Sequence, residues 1–365
     1  MGLSHLVYPG AHHTRFHHAL GCMHLMTKAI EALRMKGVEI EPEEENGLLC
    51  AILLHDIGHG PFSHALEGIL VQGRSHEKLS LDFMQALNGE FTGQLDLALS
   101  IFKGKYKKPF MNQLVSSQLD MDRLDYLKRD SFYSGVTEGN INSERLISML
   151  HVVDGQLVVE EKGIYAVEKF LMARRFMYWQ VYLHKTGLVA EQLMIRVIQR
   201  AKLLLGRGES LSASRSLLYF LEGRDESHPG ECLETFAQLD DVDILAAIKS
   251  WQFHSDFVLS KMCRMLLQRN LLHIKMKKRP VDPQKLKEKL DEIAQKHELS
   301  IEEASNFVFS GTIANKVYSE EQQPINILKN NGKIVDVLKE SDQLSLKALS
   351  SSAIKYYSCY PKEAV

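Results

Sequence analysis

His55 and Asp56 stand side by side at the end of an apolar run, Gly47–Leu54. An imidazole nitrogen and a carboxylate oxygen at adjacent positions can serve one divalent cation, provided the backbone bends to aim both. Gly58 permits such a bend. The pair sits within His55-Asp56-Ile57-Gly58-His59-Gly60-Pro61-Phe62-Ser63-His64, and nine of the 16 histidines fall between His5 and His64. That density points toward metal or acid–base chemistry. Further reactive residue types recur at helical spacing. Arg15 and His18 share a helix face, as do His55 and His59. Asp122, Tyr126 and Asp130 form an i, i+4, i+8 stripe, and Arg174, Tyr178 and Tyr182 form another, with His184 and Lys185 close behind. On spacing alone the tyrosines serve equally well as core aromatics, and His12, His13 and His17 read as loop or solvated-face residues.

The elements that must carry these residues are mainly helical. Arg15–Lys36 places Phe16, Leu20, Met23, Met26 and Ile30 at helical spacing, and Gly37 ends it. A second helix is predicted over Glu44–His55. Gly58-His59-Gly60-Pro61 breaks it, and Pro61 suits the first turn of a helix running to about Leu70. Helices are also predicted near Ser75–Leu87, Gly93–Phe102, Ser117–Asp130 and Ser143–Leu150. Val152–Val159 sets Asp-Gly between two β-branched runs, a hairpin signal. A long helical pattern covers Ile164–Leu205, and Ser227–Gly230 reads as a loop. Beyond Asn270 the pattern changes. Strands are predicted at Leu271–Lys277, Phe307–Ile313, Ile325–Leu328 and Ile334–Leu338, with a charged helix over Asp282–Lys296 and a turn at Asn330–Lys333. The expected fold is mainly α, a helical core over 1–205 and a helical extension over 206–270, with a smaller α+β lobe over 271–365.

Composition narrows the class. With 365 residues the chain can bury a large core. A net charge of −2 argues against a nucleic-acid coat, so nucleic acid is not an expected partner. The five cysteines are scattered and never in a Cys-x-x-Cys pair, which predicts reduced thiols. No apolar run is long enough to span a bilayer and no signal-peptide pattern opens the chain, so a cytoplasmic location is expected. The basic runs Lys103–Lys108 and Lys275–Arg279 read first as solvated segments.

The stretch from His55 to His64 resembles the HD superfamily, and within it the dGTPase-like and sterile-alpha-motif/HD-domain deoxynucleoside triphosphate triphosphohydrolases. Two further stretches carry the resemblance. Thr14-Arg15-Phe16-His17-His18-Ala19-Leu20-Gly21 is similar to the family's R-F-x-H-S-L-G, and Leu119–Asp130 is similar to D-x-D-[RK]-x-D-Y-x-x-R-D. The resemblance implies an HD-domain helical core and one divalent ion (Fe, Mn, Zn, Ni or Mg) on His18, His55, Asp56 and Asp122. A further Mg would accompany the substrate. His59, His64 and His76, the last paired with Glu77, become acid–base and phosphate-contacting candidates. Arg15, Arg123 and Arg174 would meet phosphate, and Tyr126, Asp130, Tyr178 and Tyr182 would meet sugar or base. Asp120 and Asp125 fit a solvated face or helix caps, with Asp125 also suited to orient a metal ligand.

The activity so implied is that of a metal-dependent phosphohydrolase acting on nucleotides, with a dNTP split into deoxynucleoside and triphosphate. The resemblance further implies a homo-oligomer and a nucleotide effector, which the second basic run would meet. The alternatives are an HD phosphohydrolase on another nucleotide phosphoester, or a nucleotide-binding regulator with weak catalysis. One departure stands out: the family carries Arg-Arg-x-x-Gln-Leu-Gly ahead of the stretch that starts here at Gly2. That puts sugar selectivity in question more than the metal site.

Overall fold

In the computed structural model, the described residues are 2–71, 73–227, 229–319, 323–341 and 352–362, without the side chains of 64, 226, 227, 229 and 230. The fold is mainly α with two small sheets. The first half consists of α1 (Arg15–Met35), α2 (Pro42–Leu54), α3 (Ser63–Leu66), α4 (His76–Glu90), α5 (Asp96–Phe102), α6 (Pro109–Val115), α7 (Met121–Ser134) and α8 (Ser143–Ser148). A hairpin of β1 (Leu150–Val153) and β2 (Gln156–Glu160) comes next, then α9 (Ile164–Met177) and α10 (Lys185–Gly206). No helix among the described residues is long and apolar enough to cross a membrane.

Local chemistry explains most boundaries. Thr14 caps α1 through its hydroxyl, and the His17 side chain returns the bond to the Thr14 backbone. Gly37, at φ 82°, takes the left-handed turn that stops it. Asp154 and Gly155 both have positive φ, as a two-residue type I′ hairpin requires. The buried stripe of α1 runs through His18, Cys22, Met26, Ala29, Ile30 and Leu33. Phe16 and Leu20, grouped with that stripe by spacing, face outward instead.

Three expectations are corrected. The helix after Pro61 is only four residues long and begins at Ser63, because Phe62 takes a left-handed conformation at φ 44°. Pro229 opens a helix, Pro229–Ala237, within the stretch read as a loop, since proline suits a first helical turn. The long pattern over 164–205 breaks in two. A π-helical turn, Tyr178–Tyr182, succeeds α9, with the Leu183 N–H reaching the Tyr178 carbonyl, and α10 restarts after His184.

Two apolar cores organise the chain. One joins α1, α2, α6, α7 and α9, through residues such as Met26, Ile52, Met111, Leu124 and Phe170, and takes in Val317, Tyr318, Ile325 and Ile327 from the C-terminal region. It includes a sheet of order β1-β2-β5-β6, in which β5 (Asn326–Leu328) pairs parallel to β2 and antiparallel to β6 (Ile334–Asp336). The chain then enters a short helix at Val337, ending the strand predicted to reach Leu338. The second core gathers α10, the helices between Arg215 and Leu267, and a sheet in which β7 (Ala353–Tyr360) lies antiparallel between β3 (His273–Lys277) and β4 (Phe309–Asn315). Val317, Tyr318, Ile325, Ile327, Val337 and Leu338 therefore join the first core and β7 the second.

Gly58 matters for close approach. A Cβ there would lie 2.1 Å from the Ser80 nitrogen and 2.3 Å from the His76 carbonyl oxygen, both backbone atoms of α4. Gly187, in α10, has nothing within 4 Å of that position. We expect Gly58→Ala to cost more than about 2 kcal/mol of stability, because α4 must move away. Gly187→Ala should be neutral or stabilising. Denaturant unfolding of the two variants checks this; equal midpoints would contradict the packing argument.

Candidate metal centre and substrate wall

Four side chains from three helices converge. His18 comes from the first turn of α1, His55 and Asp56 from the C-terminal end of α2, and Asp122 from the first turn of α7. His18 Nε2 lies 3.1 Å from Asp122 Oδ1 and 4.0 Å from Asp56 Oδ2. His55 Nε2 lies 3.6 Å from Asp56 Oδ1 and 3.7 Å from Asp122 Oδ1. Ligand atoms about 2.0–2.2 Å from a common ion stand roughly 3–4 Å from one another, so these separations are of the size a divalent cation would bridge.

The supporting contacts fix which atoms face inward. His55 donates Nδ1–H to the Ile52 carbonyl at 2.6 Å, and its buried Nε2 has no hydrogen-bond partner. His18 uses Nδ1 on Asp125 at 2.7 Å, and Asp125 is clasped by Arg129 through two contacts of 2.8 Å. This is the arrangement that orients a ligating imidazole from behind. Gly21, one turn beyond His18, leaves the room that Asp125 and Arg129 occupy. Ser80 staples the bend after α2: its hydroxyl donates to the His55 carbonyl at 2.8 Å and accepts the Gly58 N–H at 2.9 Å.

Cys22 Sγ also approaches this set, at 3.4 Å and 3.6 Å from the two ring nitrogens of His18. Asp56, with oxygens 3.6 Å from His55 Nε2 and 4.0 Å from His18 Nε2, is the other candidate for the fourth donor.

The electrostatics favour positive charge at the centre. Burial works against ionising Asp122, yet its bond to His18 and the nearby His55 imidazole hold it well below the usual carboxylate range. Asp56 behaves alike, with His59, His55 and Arg15 outweighing burial. Burial lowers the affinity of His18 for a proton, but Asp122 and Asp125 raise it far more. A cation at the centre would replace the Nε2 proton.

Beside this cluster, Arg15 bridges Asp56 and the Ser63 hydroxyl. His59 Nε2 is 3.3 Å from Asp56 Oδ1, and its ring stacks on His76 with centroids 4.0 Å apart. His64 belongs to α3, but its side chain lies outside the described residues. His76 has two carboxylates beside it. Glu77, at the exposed start of α4 and 74% accessible, lies 3.9 Å from Nε2. Glu67 is the tighter partner, bonding His76 Nδ1 at 2.6 Å and its backbone N–H at 3.0 Å. Nothing in the spacing marks Glu67, which the loop after α3 folds back.

The second wall gathers the other expected residues. Tyr126 and Tyr178 both pack edge-on against Tyr182, and the Tyr182 hydroxyl donates to Asp130 Oδ2 at 2.6 Å. Arg174 lies over Tyr178, 6.0 Å from ring centroid to guanidinium carbon, and donates to the Val317 carbonyl at 2.8 Å. Arg123 donates to the Ser117 carbonyl at 2.6 Å beside Asp120. His13, which spacing leaves in a loop, contacts Asp130 Oδ1 at 2.7 Å.

An HD domain family model matches residues 15–130, and an HD associated region model matches 141–210. A crystal structure described as a phosphohydrolase from Bacteroides thetaiotaomicron is 49% identical, with a TM-score of 0.93 over 98% of this chain and 90% of that one. Uncharacterized protein YwfO of Bacillus subtilis is 29% identical over 381 residues, covering 100% of this chain and 85% of that protein. A protein described as deoxynucleoside triphosphate triphosphohydrolase SAMHD1 homolog, from Dictyostelium discoideum, is 29% identical over 237 residues. That match covers 60% of this chain and 46% of the relative, so the chain spans about half of it.

The geometry predicts one divalent ion per chain. His55→Ala should abolish stoichiometric binding, while Asp125→Asn, which touches no ion, should weaken it roughly 10–100-fold. Elemental analysis and competition with a chromophoric chelator measure both. Unchanged affinity in Asp125→Asn would show that orientation of His18 contributes nothing.

Proposed function

The chain belongs to the HD-domain phosphohydrolase family, and from that premise we propose that it cleaves deoxynucleoside triphosphates to deoxynucleoside and inorganic triphosphate. The observation that carries the reading is that α7 joins two unlike clusters, with Asp122 in its first turn and Tyr126 and Asp130 one and two turns on. A four-donor cation site with Arg15, His59 and His76 forms one, and Tyr126, Asp130, Tyr182, Arg123 and Arg174 form the other. The likeness to the Dictyostelium dNTP triphosphohydrolase homologue supports the same substrate.

A divalent ion (Fe, Mn, Zn, Ni or Mg) on His18, His55, Asp56 and Asp122 supplies Lewis-acid polarisation of a phosphoryl oxygen and lowers the pKa of water. The protein's own groups do the rest. Arg15, Arg123 and Arg174 neutralise phosphate charge as it develops. Glu67 accepts from Nδ1 of His76 and so fixes that tautomer. His76, His59 and His64 are assigned to the triphosphate oxygens and to protonating the leaving oxygen. Tyr126 and Asp130 are assigned to the sugar, with a phenol beneath C2′ excluding a ribose hydroxyl. Tyr178 and Tyr182 back that wall.

The assembly reading is a homo-oligomer with an anionic effector. Lys355 lies 3.6 Å over the Trp179 ring of the π turn, and burial, with repulsion from Lys185 and Lys278, lowers its pKa. A second nucleotide bound there would relieve their repulsion.

The test is a panel of dNTPs, NTPs, nucleoside monophosphates and cyclic nucleotides with Mn²⁺ or Mg²⁺, read by product identity. Inorganic triphosphate from dNTPs is expected, with NTPs slower by at least about 100-fold. His55→Ala with Asp56→Ala should cost at least about 1,000-fold in rate. Phosphate released from a monophosphate or cyclic substrate alone would assign a different phosphoester. Nucleotide binding without turnover would make the protein a regulator.

A further inference from the structure

Asp130 is held from two sides by elements far apart in the chain. Tyr182, on the π turn, donates its hydroxyl to Oδ2 at 2.6 Å. His13, in the loop before α1, contacts Oδ1 at 2.7 Å through Nε2. An ionised carboxylate only accepts, so both contacts run toward Asp130, and the His13 tautomer is the one with its proton on Nε2.

His13 has little else to do with its polar atoms. Its side chain is 5% accessible, and Nδ1 is buried with no hydrogen-bond partner. The ring stacks on Tyr133, with centroids 4.5 Å apart and planes 23° from parallel. Stacking sets the plane of the ring, and the Asp130 bond is the contact that gives it direction. A buried imidazole with one nitrogen unsatisfied is costly unless the other nitrogen does something specific. Here it pins a carboxylate on the wall assigned to the sugar.

Each carboxylate oxygen has two lone-pair directions. With one on each oxygen engaged by His13 and Tyr182, the rotamer of Asp130 is fixed and lone pairs remain for a substrate donor. A deoxynucleoside triphosphate carries a single free sugar hydroxyl, on C3′, because the 5′ oxygen bears phosphate and C2′ bears none. We propose that His13 is a positioning residue that aims the Asp130 carboxylate at the 3′ hydroxyl of the substrate, and thereby sets selectivity for it. The proposal rests on the dNTP reading above. It adds a residue from the segment preceding α1 to the sugar-recognition wall.

The experiment compares a dNTP with the matching 2′,3′-dideoxynucleoside triphosphate. Wild type is expected to favour the dNTP in kcat/KM by at least about tenfold, since a site built to bond a hydroxyl is left unpaired without it. His13→Phe keeps the ring stack and the buried volume but loses the donor. It should bring the dNTP to dideoxy ratio down about tenfold, toward unity, chiefly through the dNTP. His13→Gln, which retains a donor of similar reach, should restore much of the ratio. His13→Phe combined with Asp130→Asn should lower the ratio no further than Asp130→Asn alone. A merely structural role would slow both substrates alike. If His13→Phe slows both equally, or leaves the ratio unchanged, the proposal is wrong. Should His13→Phe fail to fold, Tyr182→Phe removes the other anchor, and an unchanged ratio there overturns the positioning argument equally. A wild-type protein that cleaves neither nucleotide removes the substrate reading and this proposal with it.

Discussion

Two carboxylates and two imidazoles packed around one point in a low-dielectric interior are what the rest of this structure must accommodate. Like charges a few ångströms apart repel strongly where water is scarce. An unpaired buried charge costs several kcal/mol. Burial disfavours the charged forms of Asp56 and Asp122, and His18, His55, His59 and Arg15 around them favour those forms. Each of those groups is itself tethered. His55 bonds a carbonyl of its own helix, His18 leans on Asp125, Asp125 on Arg129, and Arg15 on Ser63. The network ends on backbone or on a paired ion, so little of it can relax independently. Gly21 and Gly58 answer the same constraint: each leaves out a Cβ where a member of the network, or the helix supporting it, must pass.

The two cores divide the work of holding this arrangement. The first packs α1, α2 and α7 together and so brings the four donors to one place. The loop that carries His59, Ser63 and the start of α3 is secured by the second. The Phe62 N–H bonds Asp241 at 2.8 Å, the Phe236 ring lies against Gly60, and Lys202 reaches the Ile69 carbonyl at 2.6 Å. A left-handed non-glycine residue costs on the order of 1–3 kcal/mol and persists only where its surroundings impose it. Phe62, between His59 and His64, meets that condition through Asp241. Helices outside the HD-matched segment therefore hold the loop that carries His59 and Ser63.

Much of the metal end was legible in the residues because its geometry is local. Arg15 and His18 lie a turn apart on one helix, His55 and Asp56 are neighbours, and Asp122, Tyr126 and Asp130 share a face. Helical periodicity carries such information directly. The hairpin at Asp154-Gly155 was legible for a similar reason, since few residue pairs tolerate two positive φ values. What escaped depends on chain return or on irregular backbone. Glu67 bonds His76 because a short loop doubles back, whereas Glu77, the sequence neighbour, lies 3.9 Å off. Ser80, a lone serine inside an ordinary helical pattern, carries no mark that it staples the bend after His55. The π turn is hidden likewise, because Tyr178 and Tyr182 have ordinary α-helical spacing. Phe16 and Leu20 misled in the opposite sense. Apolar spacing says which residues share a face, and neighbouring helices decide which face is covered.

The contrast between the two walls arises from what each must recognise. A cation site needs several strong donors at fixed separations, and regular helices supply them with little strain. The wall assigned to the nucleoside is assembled differently. Tyr182 arrives on a widened π turn, His13 from a loop, and Arg174 is anchored to the carbonyl of Val317, a residue of the C-terminal region. Such long-range contacts couple that wall to parts of the chain with no share in the cation site. A change of substrate preference can then arise from loop and turn substitutions that leave the four donors untouched. Changes in the donors themselves disturb the charge balance on which the first core is built.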